Sequence, residues 1–176
     1  MIFTVIQALY FFLLAYCANM APVFANKLRL PFGGPISSKY FGEHKTWRGF
    51  IVGFLVALIV LYIQKLLLVQ NNLFATSLSI LDYENISMFL YALAFGLGAL
   101  TGDLIKSFFK RRFNKKSGTS WFPFDQIDFV VGAIIFLYPF YQTDIKIVLI
   151  LLVVTPVLHL TTNIFGYHLG LKRVWY

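Results

Sequence analysis

Residues 86–112 read ISMFLYALAFGLGALTGDLIKSFFKRR, and this stretch decides the fold. Its apolar part, residues 86–105, has the length of about 20 residues that an α-helix needs to cross a bilayer. Asp103 lies near the end of the apolar part, and a basic segment follows from Lys106 onward. The stretch therefore predicts a transmembrane helix that ends among charged side chains at one membrane surface.

The rest of the chain is also rich in apolar residues and poor in charged ones. Hydrophobic residues make up 59% of the 176 residues and charged residues 12%, whereas a soluble domain carries about 25% charged residues. Lipid must therefore cover much of the surface. We predict one all-α domain over residues 1–176, a polytopic membrane protein with five transmembrane helices. The four further apolar stretches are residues 2–24, 49–69, 129–141 (longer if Asp125–Asp128 begin its helix) and 145–165.

Basic residues give the predicted orientation. Lys and Arg number 15 against 7 Asp and Glu, and all basic residues except Lys65 and Lys146 fall in the first loop, the third loop or the C-terminal tail. The positive-inside rule makes those segments cytoplasmic, so the N-terminus is expected outside the cell membrane and the C-terminus inside. The basic loops would also contact anionic membrane lipids. Nucleic acid is not an expected partner, because these residues adjoin membrane spans.

Three aspartates lie at the predicted cytoplasmic ends of the third and fourth spans, Asp103, Asp125 and Asp128. A carboxylate at the edge of the hydrocarbon is costly unless it is paired or bound to metal, so we interpret these residues as functional. Lys106 and Lys110 would share the helical face of Asp103, and Asp125 would share a face with Asp128. Carboxylates among many cations favour a site for Mg²⁺ and phosphate.

Simpler interpretations of the same residues stay open. The basic loop could serve only as a topology signal. Asp103 and Lys106 could form a structural ion pair. Neither interpretation explains the Asp125 and Asp128 pair that follows Pro123.

Two segments resemble the signature of membrane cytidylyltransferases that form CDP-alcohols, Ser107-Phe108-Phe109-Lys110-Arg111 and Pro123-Phe124-Asp125-Gln126-Ile127-Asp128. The chain lacks the His-Gly-Gly of the bacterial and eukaryotic enzymes, and Gln126 follows its first aspartate. It is more similar to the archaeal branch, the CDP-archaeol synthases. That similarity extends along nearly the whole chain, at Asn19, Pro22, Lys45-Thr46-Trp47-Arg48-Gly49, Gly98-Ala99-Leu100-Thr101-Gly102-Asp103, His159, Asn163, Tyr167 and Lys172. At the end, Val174-Trp175-Tyr176 replaces the Val-Pro-Trp that is frequent in the family.

The resemblance implies a Mg²⁺-dependent transfer of CMP from CTP to an unsaturated archaeal ether lipid phosphate, digeranylgeranylglyceryl phosphate. The products would be unsaturated CDP-archaeol and pyrophosphate. Asp103, Asp125 and Asp128 are the expected catalytic metal ligands. Lys106 is a weaker candidate for holding phosphate. The expected nucleotide-binding residues are Lys45, Thr46, Arg48, Gly49, Ser107, Lys110, Arg111 and Lys116.

Other functions fit parts of the sequence. A phosphatidate cytidylyltransferase would run the same reaction on acyl lipids to give CDP-diacylglycerol. An anion transporter would also need basic loops, but transport sites usually lie near the membrane midplane, where this sequence has few ionisable groups. A purely structural membrane protein would bind no CTP. Glycine-rich helix faces would allow a dimer, although the sequence locates no interface for one.

Overall fold

The computed structural model describes residues 1–115 and 121–168, and within those ranges the chain forms six α-helices. Four of the described helices, α1, α2, α4 and α6, are long and apolar enough to cross a membrane. The predicted all-α polytopic membrane fold is therefore confirmed. The helices are α1 (Ile2–Lys27), α2 (Trp47–Val69), α3 (Leu73–Leu78), α4 (Met88–Arg112), α5 (Phe124–Leu137) and α6 (Ile145–His168).

Helix α5 has 14 residues. At 1.5 Å per residue it extends about 21 Å, which is shorter than the ~30 Å hydrocarbon core. It begins at Phe124, so Asp125 and Asp128 lie in its first turns. It ends at Leu137, before the apolar stretch ends, because Pro139 has no backbone N–H to continue the helical hydrogen bonds. The count of five complete spans stays a prediction.

Helix α4 continues beyond its apolar part to Arg112. Its last turn carries Lys110, Arg111 and Arg112, whose positive charges favour a helix C-terminus. The helix therefore extends out of the apolar region with Lys106 and Lys110 on a regular helical backbone. That extension gives the charged residues of α4 fixed positions relative to Asp103.

Glycines bring α4 and α5 into backbone contact. A Cβ atom added to Gly102 would collide with the Asp128 carbonyl oxygen, and one added to Gly132 would lie 2.7 Å from the Gly102 Cα atom. Only the smallest residue allows helices to approach this closely. The contact also brings Asp103, the residue after Gly102, beside the first turns of α5.

Small residues join the other long helices in the same way. A Cβ atom on Gly49 of α2 would lie 3.1 Å from the Pro22 Cβ atom of α1, and one on Gly53 would lie 3.0 Å from the Ala18 carbonyl oxygen. Gly96 of α4 faces α2 with a similar separation. Helices α1, α2, α4 and α5 therefore form a compact bundle around the polar site.

An aromatic core and a buried polar contact stabilise the bundle farther from that site. The Phe95 ring packs edge-on against Phe11 and Phe12, with ring centroids 5.3 and 5.8 Å away. Buried Gln64 donates to the Tyr10 carbonyl oxygen at 2.8 Å and accepts from the Tyr83 hydroxyl at 2.9 Å. Burial raises the pKa of Tyr83, so its hydroxyl stays protonated and donates this bond.

We expect Gly132→Ala to destabilise the protein, because its Cβ would meet the α4 backbone, which cannot move aside cheaply. Overpacking of this kind costs about 1–3 kcal/mol, so Tm in detergent should fall by roughly 2–10 °C. Gly34→Ala is the matched control, since a Cβ at Gly34 has no neighbour within 4 Å. Equal Tm values for the two variants would contradict the close α4–α5 contact.

Candidate active site

Charged residues of the first loop, α4 and α5 converge at one end of the bundle. Thr46 caps the first turn of α2, where its hydroxyl accepts from the Gly49 amide at 3.2 Å. This cap places Lys45 beside the end of α4. The first turns of α5 approach the same point, because Gly102 lets α5 lie against α4. The first loop, the end of α4 and the start of α5 therefore contribute to a single site.

Lys106 lies at the centre of the site. Its Nζ atom is 3.0 Å from Asp103 Oδ1, 2.9 Å from Asp125 Oδ1 and 3.0 Å from Asp128 Oδ2. The side chains are largely buried, with 14% exposure for Lys106 and 5% for Asp128. One ammonium group thus joins a carboxylate of α4 to two carboxylates of α5.

Two further lysines complete the charge balance. Lys45 Nζ forms an ion pair with Asp103 Oδ2. Lys110 Nζ contacts both Asp125 oxygens, at 3.1 and 3.0 Å, and Asp125 also accepts from the Trp121 amide at 2.6 Å. With Lys106 included, three ammonium groups face three carboxylates. We call these six residues the charge cluster: Lys45, Asp103, Lys106, Lys110, Asp125 and Asp128.

The charge cluster has the donor chemistry that Mg²⁺ requires, because carboxylate oxygens are its usual protein ligands. Asp128 Oδ2 is buried and receives no hydrogen bond, although the Lys106 ammonium is near it. Within the described ranges, however, no group of at least three His, Cys, Asp or Glu side chains has a metal-binding arrangement. The ammonium group occupies the point on which the carboxylates converge. The residues fit a divalent cation if the Lys106 side chain moves aside.

A cavity of about 390 Å³ adjoins the charge cluster and is partly open. It shares Lys45 and Asp103 with the cluster and extends between α1 and α2. Its volume lies in the range typical of small-molecule sites, and its walls combine apolar surface with a few polar groups. The other lining residues are Asn19, Pro22, Val23, Asn26, His44, Thr46, Gly49, Phe50 and Leu100.

The expected nucleotide-binding residues fall into distinct positions. Lys45, Thr46 and Gly49 line the cavity, and Lys110 belongs to the charge cluster. Ser107 donates to the Asp103 carbonyl oxygen at 2.8 Å, so its hydroxyl is bonded to its own helix.

The two expected arginines, Arg48 and Arg111, lie outside the cavity lining. Arg48 donates from its guanidinium group to the Leu30 carbonyl oxygen and the Asn26 side chain, which holds the first loop against α1 and α2. Arg111 donates to the Lys115 carbonyl oxygen at 2.6 Å. Lys116 lies outside the described residues. All of these binding roles stay predictions.

Some residues near the site have positions that were not predicted from the sequence. Lys106 was the weaker phosphate candidate, yet it contacts all three aspartates. Its position three residues after Asp103 was the available signal. Asn26 and His44 line the cavity without any pattern that could have singled them out, because their neighbours come from other elements.

Long apolar helices with a charged site at one end define an integral membrane protein whose chemistry occurs at a membrane surface.

The comparisons with known proteins also indicate a membrane enzyme. A family model described as "CarS-like: CDP-archaeol synthase" matches residues 1–176. A CDP-archaeol synthase of Pyrococcus furiosus is 36% identical over 179 residues, with 97% of each chain covered. One of Methanococcoides burtonii is 36% identical over 171 residues, covering 90% of this chain and 97% of that protein.

A solved structure of an archaeal membrane lipid enzyme is also similar to this chain. An intramembrane enzyme for archaeal membrane lipids biosynthesis has a TM-score of 0.68 and 25% identity to this chain, covering 89% of this chain and 92% of that one. The chain therefore belongs to the CDP-archaeol synthase family, as its motifs predicted. It is a multi-pass membrane transferase of lipid biosynthesis.

We expect Arg48→Lys to loosen the first loop, because a single ammonium group cannot reproduce both guanidinium hydrogen bonds. Trypsin should cleave the loop several-fold faster than in the unsubstituted protein, measured by limited proteolysis in detergent. Arg29→Lys is the control, since Arg29 is exposed in the same loop. If Arg48→Lys and Arg29→Lys are cleaved at the same rate, Arg48 does not hold the loop.

Proposed function

We propose that this chain transfers CMP from CTP to an unsaturated archaeal ether lipid phosphate, with Mg²⁺ as cofactor, and releases pyrophosphate. The observation that carries the proposal is the convergence of three carboxylates and three ammonium groups beside an open cavity. Relatives described as CDP-archaeol synthases, matched along nearly their whole length, support the choice of nucleotide and lipid.

In the proposed reaction, an oxygen of the lipid phosphate attacks the α-phosphorus of CTP. A phosphorus–oxygen bond forms there, and the bond from the α-phosphorus to the bridging oxygen breaks. Pyrophosphate leaves with the electron pair. Such displacements depend mainly on positioning and charge neutralisation, so an already ionised lipid phosphate needs no general base.

The residues of the charge cluster would share this work. Asp103, Asp125 and Asp128 would hold Mg²⁺, which neutralises phosphate charge when bound. Lys45 pairs with Asp103 and Lys110 pairs with Asp125, and each ammonium group could turn toward a phosphate group. Their positive charges would then stabilise the charge that develops on the leaving pyrophosphate.

The cavity suits the nucleoside part of CTP. Asn19, Asn26 and His44 offer hydrogen-bond donors and acceptors without a fixed charge, which is what a nucleobase edge requires. Lys45 and Asp103 lie where the cavity meets the cluster, so a base bound inside would direct its phosphates toward the carboxylates. Two long isoprenoid chains would not fit in about 390 Å³ and would instead stay in the surrounding lipid.

The proposal places the site on the cytoplasmic side, where CTP is available. The first loop, the end of α4 and the start of α5 all contribute to the charge cluster, and the first two of these segments are rich in Lys and Arg. The positive-inside rule then orients the N-terminus outward and the C-terminus toward the cytoplasm.

We expect purified protein with labelled CTP and Mg²⁺ to label the ether lipid phosphate in preference to phosphatidate. Asp103→Asn, Asp125→Asn and Asp128→Asn should each lower kcat by roughly a hundredfold or more, because each removes a carboxylate ligand of the Mg²⁺ that would stabilise the phosphate charge. EDTA should abolish the transfer and added Mg²⁺ should restore it. Asp144→Asn, at an exposed carboxylate beyond α5, is the control. Unlabelled lipid with folded protein would overturn the proposal, and preferential labelling of phosphatidate would change its lipid.

We expect Asn19→Ala to raise KM for CTP by about tenfold with little change in KM for the lipid, because a hydrogen bond to the base is lost. Steady-state kinetics with each substrate varied in turn would show this. Asn85→Ala, in the loop before α4, is the matched amide control. A rise in KM for the lipid alone would place the lipid headgroup, and not the nucleoside, in the cavity.

A further inference from the structure

Lys106 has a place in the site that the proposed reaction does not explain. Its Nζ atom lies within 3.0 Å of an oxygen of each of the three aspartates, at the position that a cation shared by these carboxylates would take. Lys45 and Lys110 each contact a single aspartate from outside. Lys106 is thus the group that joins the three carboxylates to one another.

Charge explains why such a group is needed. Without Lys106, the carboxylates of Asp103, Asp125 and Asp128 would face each other at the edge of the hydrocarbon with only two flanking ammonium groups. Breaking a buried ion pair by removal of one partner is strongly destabilising, because a charge is left uncompensated. The ammonium group therefore holds α4 and α5 together when no metal is bound.

In this position the Lys106 ammonium group competes with a divalent cation for the three carboxylates. A divalent cation that binds all three carboxylates must displace the Lys106 ammonium, which already neutralises them. Mg²⁺ alone would gain little from this exchange, because the cluster is balanced and the freed ammonium would lose its partners. A triphosphate changes the balance, since its negative charges offer the displaced ammonium new partners.

We propose that Lys106 is a positioning residue that acts as an internal counter-cation and makes Mg²⁺ binding depend on the nucleotide. It holds the carboxylates in place in the empty site and yields them when metal and triphosphate arrive together. This inference rests on the proposed function for the identity of the nucleotide. It concerns metal binding and stability, which can be measured without turnover.

The test compares the unsubstituted protein with Lys106→Met in detergent, by calorimetric titration with Mg²⁺ alone and by Tm in EDTA and in Mg²⁺. Mg²⁺ should bind Lys106→Met about tenfold more tightly or better without nucleotide. Lys106→Met should have a lower Tm in EDTA than the unsubstituted protein, and Mg²⁺ should restore that Tm. The Tm of the unsubstituted protein should rise with Mg²⁺ only when CTP is present.

Lys106→Gln is measured in the same way if Lys106→Met does not stay folded after metal removal. Lys146→Met, at an exposed lysine at the far end of the bundle, is the control.

The outcomes separate this inference from the proposed function. Equal Mg²⁺ affinity in Lys106→Met and the unsubstituted protein, without nucleotide, would overturn the counter-cation role even if CTP transfer is observed. Tighter Mg²⁺ binding by Lys106→Met, in a preparation whose unsubstituted protein transfers no CMP, would support the role and reject the reaction. A loss of Tm in Lys106→Met that Mg²⁺ does not reverse would leave Lys106 with a structural role only and also overturn the inference.

Discussion

The contact between Lys106 of α4 and the two aspartates of α5 is the interaction on which the site depends. Carboxylates cannot stay close together at the edge of a bilayer without a cation. Gly102 and Gly132 let the two helix backbones approach closely enough for one ammonium group to reach all three carboxylates. The close approach of α4 and α5 brings Lys106 to the carboxylates, and the Lys106 charge in turn allows the carboxylates to stay together. The site needs both.

The rest of the molecule places the Lys106 contacts where lipid and water meet. Helices α1, α2, α4 and α6 are apolar enough for lipid to surround them, while the charge cluster lies where α4 leaves its apolar part. The cavity beside Lys45 and Asp103 opens between α1 and α2. A water-soluble nucleotide and a lipid headgroup can reach a common point only in such a position, which agrees with the membership in a family of membrane lipid enzymes.

Much of this arrangement could be predicted from the sequence, because hydrophobic length and charge distribution are local properties. The apolar stretches gave the long helices, and the spacing of Asp103, Asp125 and Asp128 gave the acidic site. The contacts of Lys106 with Asp125 and Asp128 could not be predicted, because they depend on how far α5 advances along α4. The length of α5 was also uncertain, since Pro139 ends the helix inside an apolar stretch. The cavity residue Asn26 comes together with α2 and α4 only through the tertiary fold.

A double-mutant cycle between Lys106 and Asp128 measures whether the Lys106 ammonium group joins α4 to α5. The free energy of unfolding in micelles is measured without metal for the unsubstituted protein, Lys106→Met, Asp128→Asn and the double variant. The account predicts a coupling of at least about 1 kcal/mol, because Lys106→Met leaves fewer unpaired carboxylates when Asp128 is already neutral. Additive effects within about 0.5 kcal/mol would show that the ammonium group does not join the two helices.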